Sequence, residues 1–323
     1  MNVTSNNPLW LAPMADITAW PVRKMFFRLG VGLAHTEMIS AKAVADRNPS
    51  VLSSLFRHPD EGPLVLQLFS GNVDFLLEAA EEALKVSSFD ALGINMACPS
   101  KKVMASGGGA AMMFCPEVAT QMIKEANALL GLPICVKTRI PSRNSYDAIK
   151  WCELLVSSGA DNVAVHARTP SQGYNGVPDK NTIKEVAKAF PGMITATGDV
   201  FTSGDVVEYL EMGCKSVLIA RGALKNPFII LDALKVLGYF ADFEDSFKSR
   251  ADVFRTFLID LCEIEDNSGM HLLRHFLSCI FKGTPRASNM RSSLANAGSI
   301  VKTKELFDSY IDNFNKLYTK EGR

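Results

Sequence analysis

The sequence predicts an α/β protein, a (β/α)8 TIM barrel over residues 1–238 with a small C-terminal helical domain over residues 239–323. Three observations carry this expectation. Eight short, β-prone apolar runs recur, with amphipathic stretches of helical period between them. Nearly every run ends in a polar or conformationally special residue. Near residue 238 the alternation stops, and only helical periodicity continues.

The runs are residues 8–14, 33–39, 63–69, 89–96, 132–138, 161–167, 192–198 and 215–221. Between them, residues 73–85, 117–130, 146–158, 182–190 and 203–212 carry helical period, with Ser145 and Ser203 as expected N-caps. Strands that alternate with helices pair in parallel, because each crossover returns the chain to the start of the next strand. Eight such units fit a barrel, whose usual size is about 250 residues. An open doubly wound sheet competes, but no Gly-x-Gly-x-x-Gly follows the first run. Beyond residue 238, residues 246–265, 269–281 and 302–318 read as helices.

Composition narrows the class. Apolar residues make up 47% of the 323, which is ordinary for a globular chain. No run of about eighteen apolar residues predicts a membrane span. The N-terminus has no basic residue before its first apolar stretch, so it does not read as a signal peptide, and a cytoplasmic location is expected. Seven cysteines occur without Cys-x-x-Cys pairs, which argues against a metal site and a disulfide framework. Most of them sit in apolar runs, as reduced core residues do. The 34 basic and 34 acidic residues cancel, which excludes a uniformly basic nucleic-acid binder but leaves local patches open. Residues 267–304 form such a patch, with Arg274, Lys282, Arg286, Arg291, Lys302 and Lys304 and no Asp or Glu. It reads as a basic face or as an ordinary solvated helix surface. A monomer is expected, with the oligomeric state otherwise open.

In a barrel, the C-terminal strand ends converge on the face where active sites form. Here those ends carry Met14, Glu37, Gln67, Asn95, Lys137, His166, Gly198 with Asp199, and Arg221 with Gly222. The turns TGDVFTSGD (197–205) and ARGALKNP (220–227) follow the last two runs and lead into helices, as phosphate cradles do; two ordinary strand–helix turns would look the same. Arg221 can add a charge-assisted pair. Lys137 suits a position under a ring that becomes anionic, and His166 can donate to the same ligand. Gln67 and Asn95 offer donors and acceptors to the edge of a flat heterocycle. A phosphate and such a ring together point to FMN, with pyridoxal phosphate as the competitor.

Cys98 lies three residues beyond Asn95 in NMACPSKKVMASGGGAAMM (95–113). The starts of the fourth and fifth runs, Phe89 and Leu132, are 43 residues apart, the longest such interval. A long loop over the catalytic face suggests a lid. A lone cysteine is usually core filler, but on a polar loop of this kind a thiol can act as nucleophile or, protonated, as general acid.

These residues carry a resemblance to a known family. LAPMADIT (11–18), TEMISAKA (36–43), LQLF (66–69), INMACPSKKVMASGGGAAMM (94–113), VKTR (136–139), VHARTPSQGYNG (165–176), TGDV (197–200) and IARGA (219–223) resemble the tRNA-dihydrouridine synthases, FMN-dependent enzymes that reduce specific uridines in tRNA. LRHFLSCIFKGTPRASNMR (273–291) is similar to the family's helical tRNA-binding domain. The resemblance implies that NADPH, or NADH, reduces FMN. The flavin then gives a hydride to carbon 6 of a uracil flipped out of its stack, while Cys98 protonates carbon 5 from the other face. It implies that Gln67, Lys137, His166, Gly198, Asp199, Ala220, Arg221 and Gly222 hold FMN, with Ala12, Pro13 and Met14 beside the ring. Asn95 would orient the uracil, and Arg168, Gln172 and Tyr174 would approach substrate. Lys101, Arg274, Arg286 and Arg291 would contact the tRNA, whose shape and backbone a local basic patch can recognise. Two positions depart from the family pattern: Ala97 stands where glycine is usual, and Thr197 where asparagine is usual. The alternative is an FMN-dependent barrel reductase acting on a free pyrimidine or another small molecule, which would have no use for the basic helices.

Overall fold

The computed structural model describes residues 7–239, 246–279 and 287–320. Its parallel strands are β1 (Leu9–Leu11), β2 (Leu33–His35), β3 (Ile39–Ser40), β4 (Leu64–Phe69), β5 (Ala91–Met96), β6 (Ile134–Arg139), β7 (Asn162–His166), β8 (Ile194–Thr197) and β9 (Ser216–Ile219). β1 pairs with both β2 and β9, and β2 with β4, so the ring closes. β2 and β3 occupy a single position against β4, which makes this a closed eight-position barrel with helices between its strands.

The expected run 33–39 is split for a definable reason. His35 is opposite Val65, and Ile39 is opposite Leu68, so one strand takes four steps where its partner takes three. The extra residue makes a bulge. Thr36 stitches it: its N–H donates to the Val65 carbonyl (2.9 Å), and its Oγ1 accepts from the Gln67 N–H (2.9 Å). The bulge brings Met38 to the wall of the barrel mouth.

Both faces of the strands are buried, which is why they read as continuous apolar runs. Trp10, Leu33, Val65, Ala91, Cys135, Ala164 and Leu218 pack against one another in a separate inner cluster. Leu33 and Leu218 flank Trp10 on the neighbouring strands, and Ala91, Cys135 and Ala164 are the small members of the cluster. Alternate residues such as Leu9, Leu11, Leu64, Leu66 and Leu68 join the larger core shared with the helices.

The expected helices appear at Val73–Val86, Pro116–Leu130, Ser145–Ser157, Lys180–Ala189 and Ser203–Glu211. Two caps lie one residue earlier than expected. Asn144 accepts from the Tyr146 N–H, and Thr202 forms a reciprocal capping box with Asp205, so Ser145 and Ser203 are first-turn residues instead.

C-terminal helices span Phe247–Leu261, Asp266–Phe276, Ala287–Ala295 and Ile300–Lys320. Ala287–Ala295 was not expected, since its polar composition gives a weak apolar stripe. The expected domain boundary at 238–239 adjoins residues 240–245, which lie outside the described residues. The Phe247–Leu261 helix packs on the barrel's Trp20–Arg28 helix. Phe276 meets Phe257 edge-on (5.4 Å) and Phe26 (6.2 Å), Lys24 pairs with buried Asp260 (2.9 Å), and Arg28 donates to Thr256. No helix among the described residues is long and apolar enough to cross a membrane.

At the base of this contact Arg23 and Glu61 form a fully buried ion pair. The guanidinium also donates to the carbonyls of Thr18 and Phe56, and the carboxylate accepts from the His58 N–H. Breaking a buried pair leaves one charge uncompensated at a cost of about 3–5 kcal/mol. Glu61→Ala is therefore expected to lower the unfolding free energy in urea by roughly 3 kcal/mol or more. The double substitution Arg23→Met/Glu61→Leu should recover most of that loss.

Candidate active site

Register brings the polar strand ends side by side. Asn95 pairs with Lys137 across β5 and β6, Arg139 with His166 across β6 and β7, and His166 with Thr197 across β7 and β8. These side chains surround a cavity of about 370 Å³ at the C-terminal mouth of the barrel. Ala12, Pro13, Met14, Gly198, Asp199, Ala220, Arg221, Gly222 and Cys98, all singled out from sequence, line the same cavity. Gln67 lies just behind the wall and accepts from the Asn95 amide (2.8 Å).

Asn95 shapes the loop that carries Cys98. Its Oδ1 accepts from the N–H groups of Ala97 (3.1 Å) and Cys98 (3.0 Å), so its carbonyl is committed to the loop. The Cys98 carbonyl accepts from the Ala110 N–H (2.9 Å). Gly109 makes that approach possible: its φ is +59°, and a Cβ there would sit 2.6 Å from the Cys98 carbonyl oxygen. The connection is not an open loop, as the sequence suggested. It contains a helix, Lys101–Ala105, and a 3-10 helix, Gly109–Phe114. Cys98 is half-buried and faces the cavity from this anchored rim.

The two departures from the family pattern are accommodated. Ala97 is not among the residues with positive φ, so the loop does not demand glycine there. Thr197 donates its hydroxyl to the Leu218 carbonyl (3.0 Å), which turns it into the barrel wall.

Three cations, Lys137, Arg139 and Arg221, line the cavity against one carboxylate, Asp199. Lys137 has no hydrogen-bond or ion-pair partner among the described residues; burial, with Arg139 nearby, pushes its ammonium down to about 8. Burial and the surrounding cations push His166 far below the usual imidazole range, so the ring is neutral. Asp199 is held below the usual carboxylate range by its hydrogen bonds from Arg168. Gln67 Nε2 is buried without a partner. The arrangement suits an anionic ligand that brings hydrogen-bond acceptors.

The structure sorts the remaining expected residues. Arg168, expected at substrate, is 1% exposed and bonded to Asp199, His166 and the Gly176 carbonyl, so it stands behind the wall. Lys101 is exposed on its short helix and does not line the cavity. Arg274 is exposed on the Asp266–Phe276 helix, which packs beside the Arg221–Lys225 helix at the mouth. Arg291 lies on the Ala287–Ala295 helix, and Arg286 is outside the described residues. Lys304, in the acid-free stretch, is paired with Asp308 (3.0 Å).

Sequence reasoning passed over Arg139. It donates to the Ala97 carbonyl (2.8 Å) and to the Gly173 carbonyl (2.7 Å), tying the Cys98 loop to the loop after β7. The signal was available, since residue i+2 from Lys137 on a strand points the same way. Tyr174, 61% exposed, stands over this junction between Arg139 (5.5 Å) and Arg221 (4.6 Å).

Known proteins resemble this chain over most of its length. The family model described as Dihydrouridine synthase (Dus) matches residues 10–315. A probable tRNA-dihydrouridine synthase 1 of Synechocystis sp. is 28% identical over 322 residues, covering 96% of this chain and 88% of its own. A probable tRNA-dihydrouridine synthase of Mycobacterium tuberculosis is 29% identical, covering 96% and 82%. One from Rhizobium leguminosarum is 32% identical over 224 residues, covering 69% and 70%. The anchored Cys98 rim and the cationic strand ends thus sit within a match that spans nearly the whole barrel, and the chain belongs to the dihydrouridine synthase family.

Proposed function

We propose that this chain reduces a uridine of tRNA to dihydrouridine, with FMN in the barrel-mouth cavity. The observation that carries the reading is the half-buried Cys98 held at the rim of a cavity in which Lys137 and Arg139 have no carboxylate partner among the described residues. The residues present fit the cofactor. Lys137 offers an unshared charge, Gln67 Nε2 a donor awaiting an acceptor, and the lining charges leave an excess of positive charge for a phosphate. Lys137, His166 and Gln67 would hold the ring, and Gly198, Asp199, Ala220, Arg221 and Gly222 the phosphate end, with Ala12, Pro13 and Met14 as the apolar wall. FMN, when bound, supplies the hydride that reduces the uracil ring, with NADPH or NADH as its source. Cys98 holds on Sγ the proton that completes the reduction at carbon 5. His166 is unsuited to that task because it stays neutral. The remaining Asn95 N–H can orient the uracil. A base reaches such a mouth only by leaving its stack.

The C-terminal helices, from about residue 239 onward, serve in this reading as the tRNA-binding domain. Arg274 supports it, being exposed and without an ion-pair partner among the described residues on a helix beside the mouth. Exposed Lys101 would extend the contact along the rim.

The direct test incubates flavin-loaded protein with dihydrouridine-free tRNA and NADPH, then digests the RNA and weighs its nucleosides. A uridine that gains the mass of two hydrogens is expected. Oxidation of NADPH with unmodified tRNA would favour a small-molecule reductase instead. In the same assay Cys98→Ala should lose roughly a hundredfold or more in turnover while keeping its flavin. Lys137→Met should weaken FMN binding roughly ten- to a hundredfold, since a charge-assisted hydrogen bond contributes about 1.5–3 kcal/mol. Because an anionic ligand favours protonated Lys137, its pKa rises on binding, so FMN affinity is flat below about 8 and falls as pH rises above it. Titrations by flavin fluorescence at neutral and alkaline pH check this, and a pH-independent affinity would rule it out. Affinity for tRNA should fall steeply between about 50 and 200 mM salt, with a shallower slope for Arg274→Ala.

A further inference from the structure

We infer that Arg168 is a positioning residue that locks His166 into the tautomer with its hydrogen on Nδ1 and fixes Asp199 in its left-handed backbone conformation. One side chain thereby sets the donor pattern of β7 and the shape of the β8 turn together.

The geometry is closely constrained. Arg168 Nη1 lies 3.2 Å from His166 Nε2 and 3.0 Å from Asp199 Oδ1; Nη2 donates to Asp199 Oδ2 and to the Gly176 carbonyl. A guanidinium has only hydrogen-bond donors, so the nitrogen facing it must supply a lone pair. His166 Nε2 is therefore the acceptor, and the proton of the neutral ring sits on Nδ1. Turning the ring over would set a C–H against the same guanidinium N–H. Gly198 packs against the ring edge, since a Cβ there would come within 2.6 Å of Cδ2 and 2.9 Å of Nε2. Nδ1 has no protein partner among the described residues, and the ring lines the cavity, so a fixed N–H donor is presented to whatever binds there.

The other end of the lock is Asp199, one of three non-glycine residues with positive φ among the described residues (+50°). That conformation is uncommon for a residue with a side chain, and contacts must hold it. The two-point pairing with Arg168 does so from the buried side, and the single contact from Arg221 Nη2 (2.7 Å) adds to it from the exposed side. Lysine at position 168 could not reproduce this, because one ammonium cannot make the parallel pair with the carboxylate and also face the imidazole. The cations around His166 are Lys137, Arg139, Arg168 and Arg221, with Tyr174 6.2 Å from its ring and the Asp199 carboxylate on the far side of the Arg168 guanidinium. All four cations oppose its protonation, so the neutral ring and the tautomer lock reinforce each other.

The inference does not depend on the reaction proposed above, and its test needs no turnover. Full-length protein labelled with ¹⁵N-histidine has five imidazoles, and His166→Gln identifies the signal to follow. Long-range ¹H–¹⁵N correlation distinguishes protonated from unprotonated ring nitrogens. The expected result is a protonated Nδ1 and an unprotonated Nε2 for His166 in the native protein at neutral pH. Arg168→Gln and Arg168→Lys should both convert the signal to a mixture of tautomers or to the Nε2–H form. Asp199→Asn, which leaves the guanidinium without its anchor, should do so partially. A native His166 signal with hydrogen on Nε2 would overturn the inference before any Arg168 variant is made. So would an unchanged signal in a folded Arg168→Lys protein.

Discussion

Closure of a parallel sheet is the constraint on which the rest of this molecule depends. Parallel strands all point one way, and a closed ring has no edge on which to discard a difficult residue. Every strand therefore delivers its last side chains to the same small mouth. Lys137 is half-buried, and Arg139 and His166 are buried there, because β6 and β7 end there, with Arg168 just beyond. Burial of like charges in one place opposes folding, since each loses hydration and each repels the others. Asp199 and a few backbone carbonyls compensate only part of this. The apolar inner cluster and the outer helical core supply the stability that lets the mouth remain electrostatically incomplete. An anionic ligand would complete it, and its affinity would then be coupled to protonation.

The legible part of this design was the part governed by local periodicity. Apolar runs of strand length and helical stretches between them fixed the barrel, and the strand-end residues named the cavity wall almost one by one. What escaped reading depends on register or on long side chains that reach between loops. The bulge between His35 and Ile39 adds a single residue relative to β4, and nothing in LAHTEMI distinguishes that from a straight strand. Arg168 follows His166 by two residues, like Lys137 and Arg139, and looks like a candidate for substrate. Only the structure shows that Asp199, on the next strand's turn, has claimed it. The missed helix Ala287–Ala295 is polar on most positions and is fixed by its packing on the last helix. Its own sequence carries little signal.

The glycines after Cys98 illustrate how a loop can be both irregular in sequence and firm in space. Gly109 lets the chain pass against the Cys98 carbonyl, and Asn95 secures the other side of the same residue. A side chain at position 109 would push against the Cys98 carbonyl. The segment is therefore tied down at Cys98, despite its length. The position of Cys98 is set by one backbone–backbone hydrogen bond and by an amide side chain that is itself held by Gln67.

Arg139 extends that argument across the mouth. Its guanidinium joins the carbonyl of Ala97, next to the thiol, to the carbonyl of Gly173, next to Tyr174. The two loops that flank the entrance are thus one mechanical unit, and a planar group entering between them meets a rim set before it arrives. Arg168 performs the equivalent task one strand further on, joining the β7 end to the β8 turn. Two buried arginines, each two residues beyond a cavity-lining side chain, join three separate loops into a continuous wall. The charge that would draw an anionic ligand into the mouth is also the charge that holds the mouth in shape. For that reason neutralising either guanidinium is a different perturbation from removing Lys137: it releases loops, whereas losing the lysine removes only an attraction.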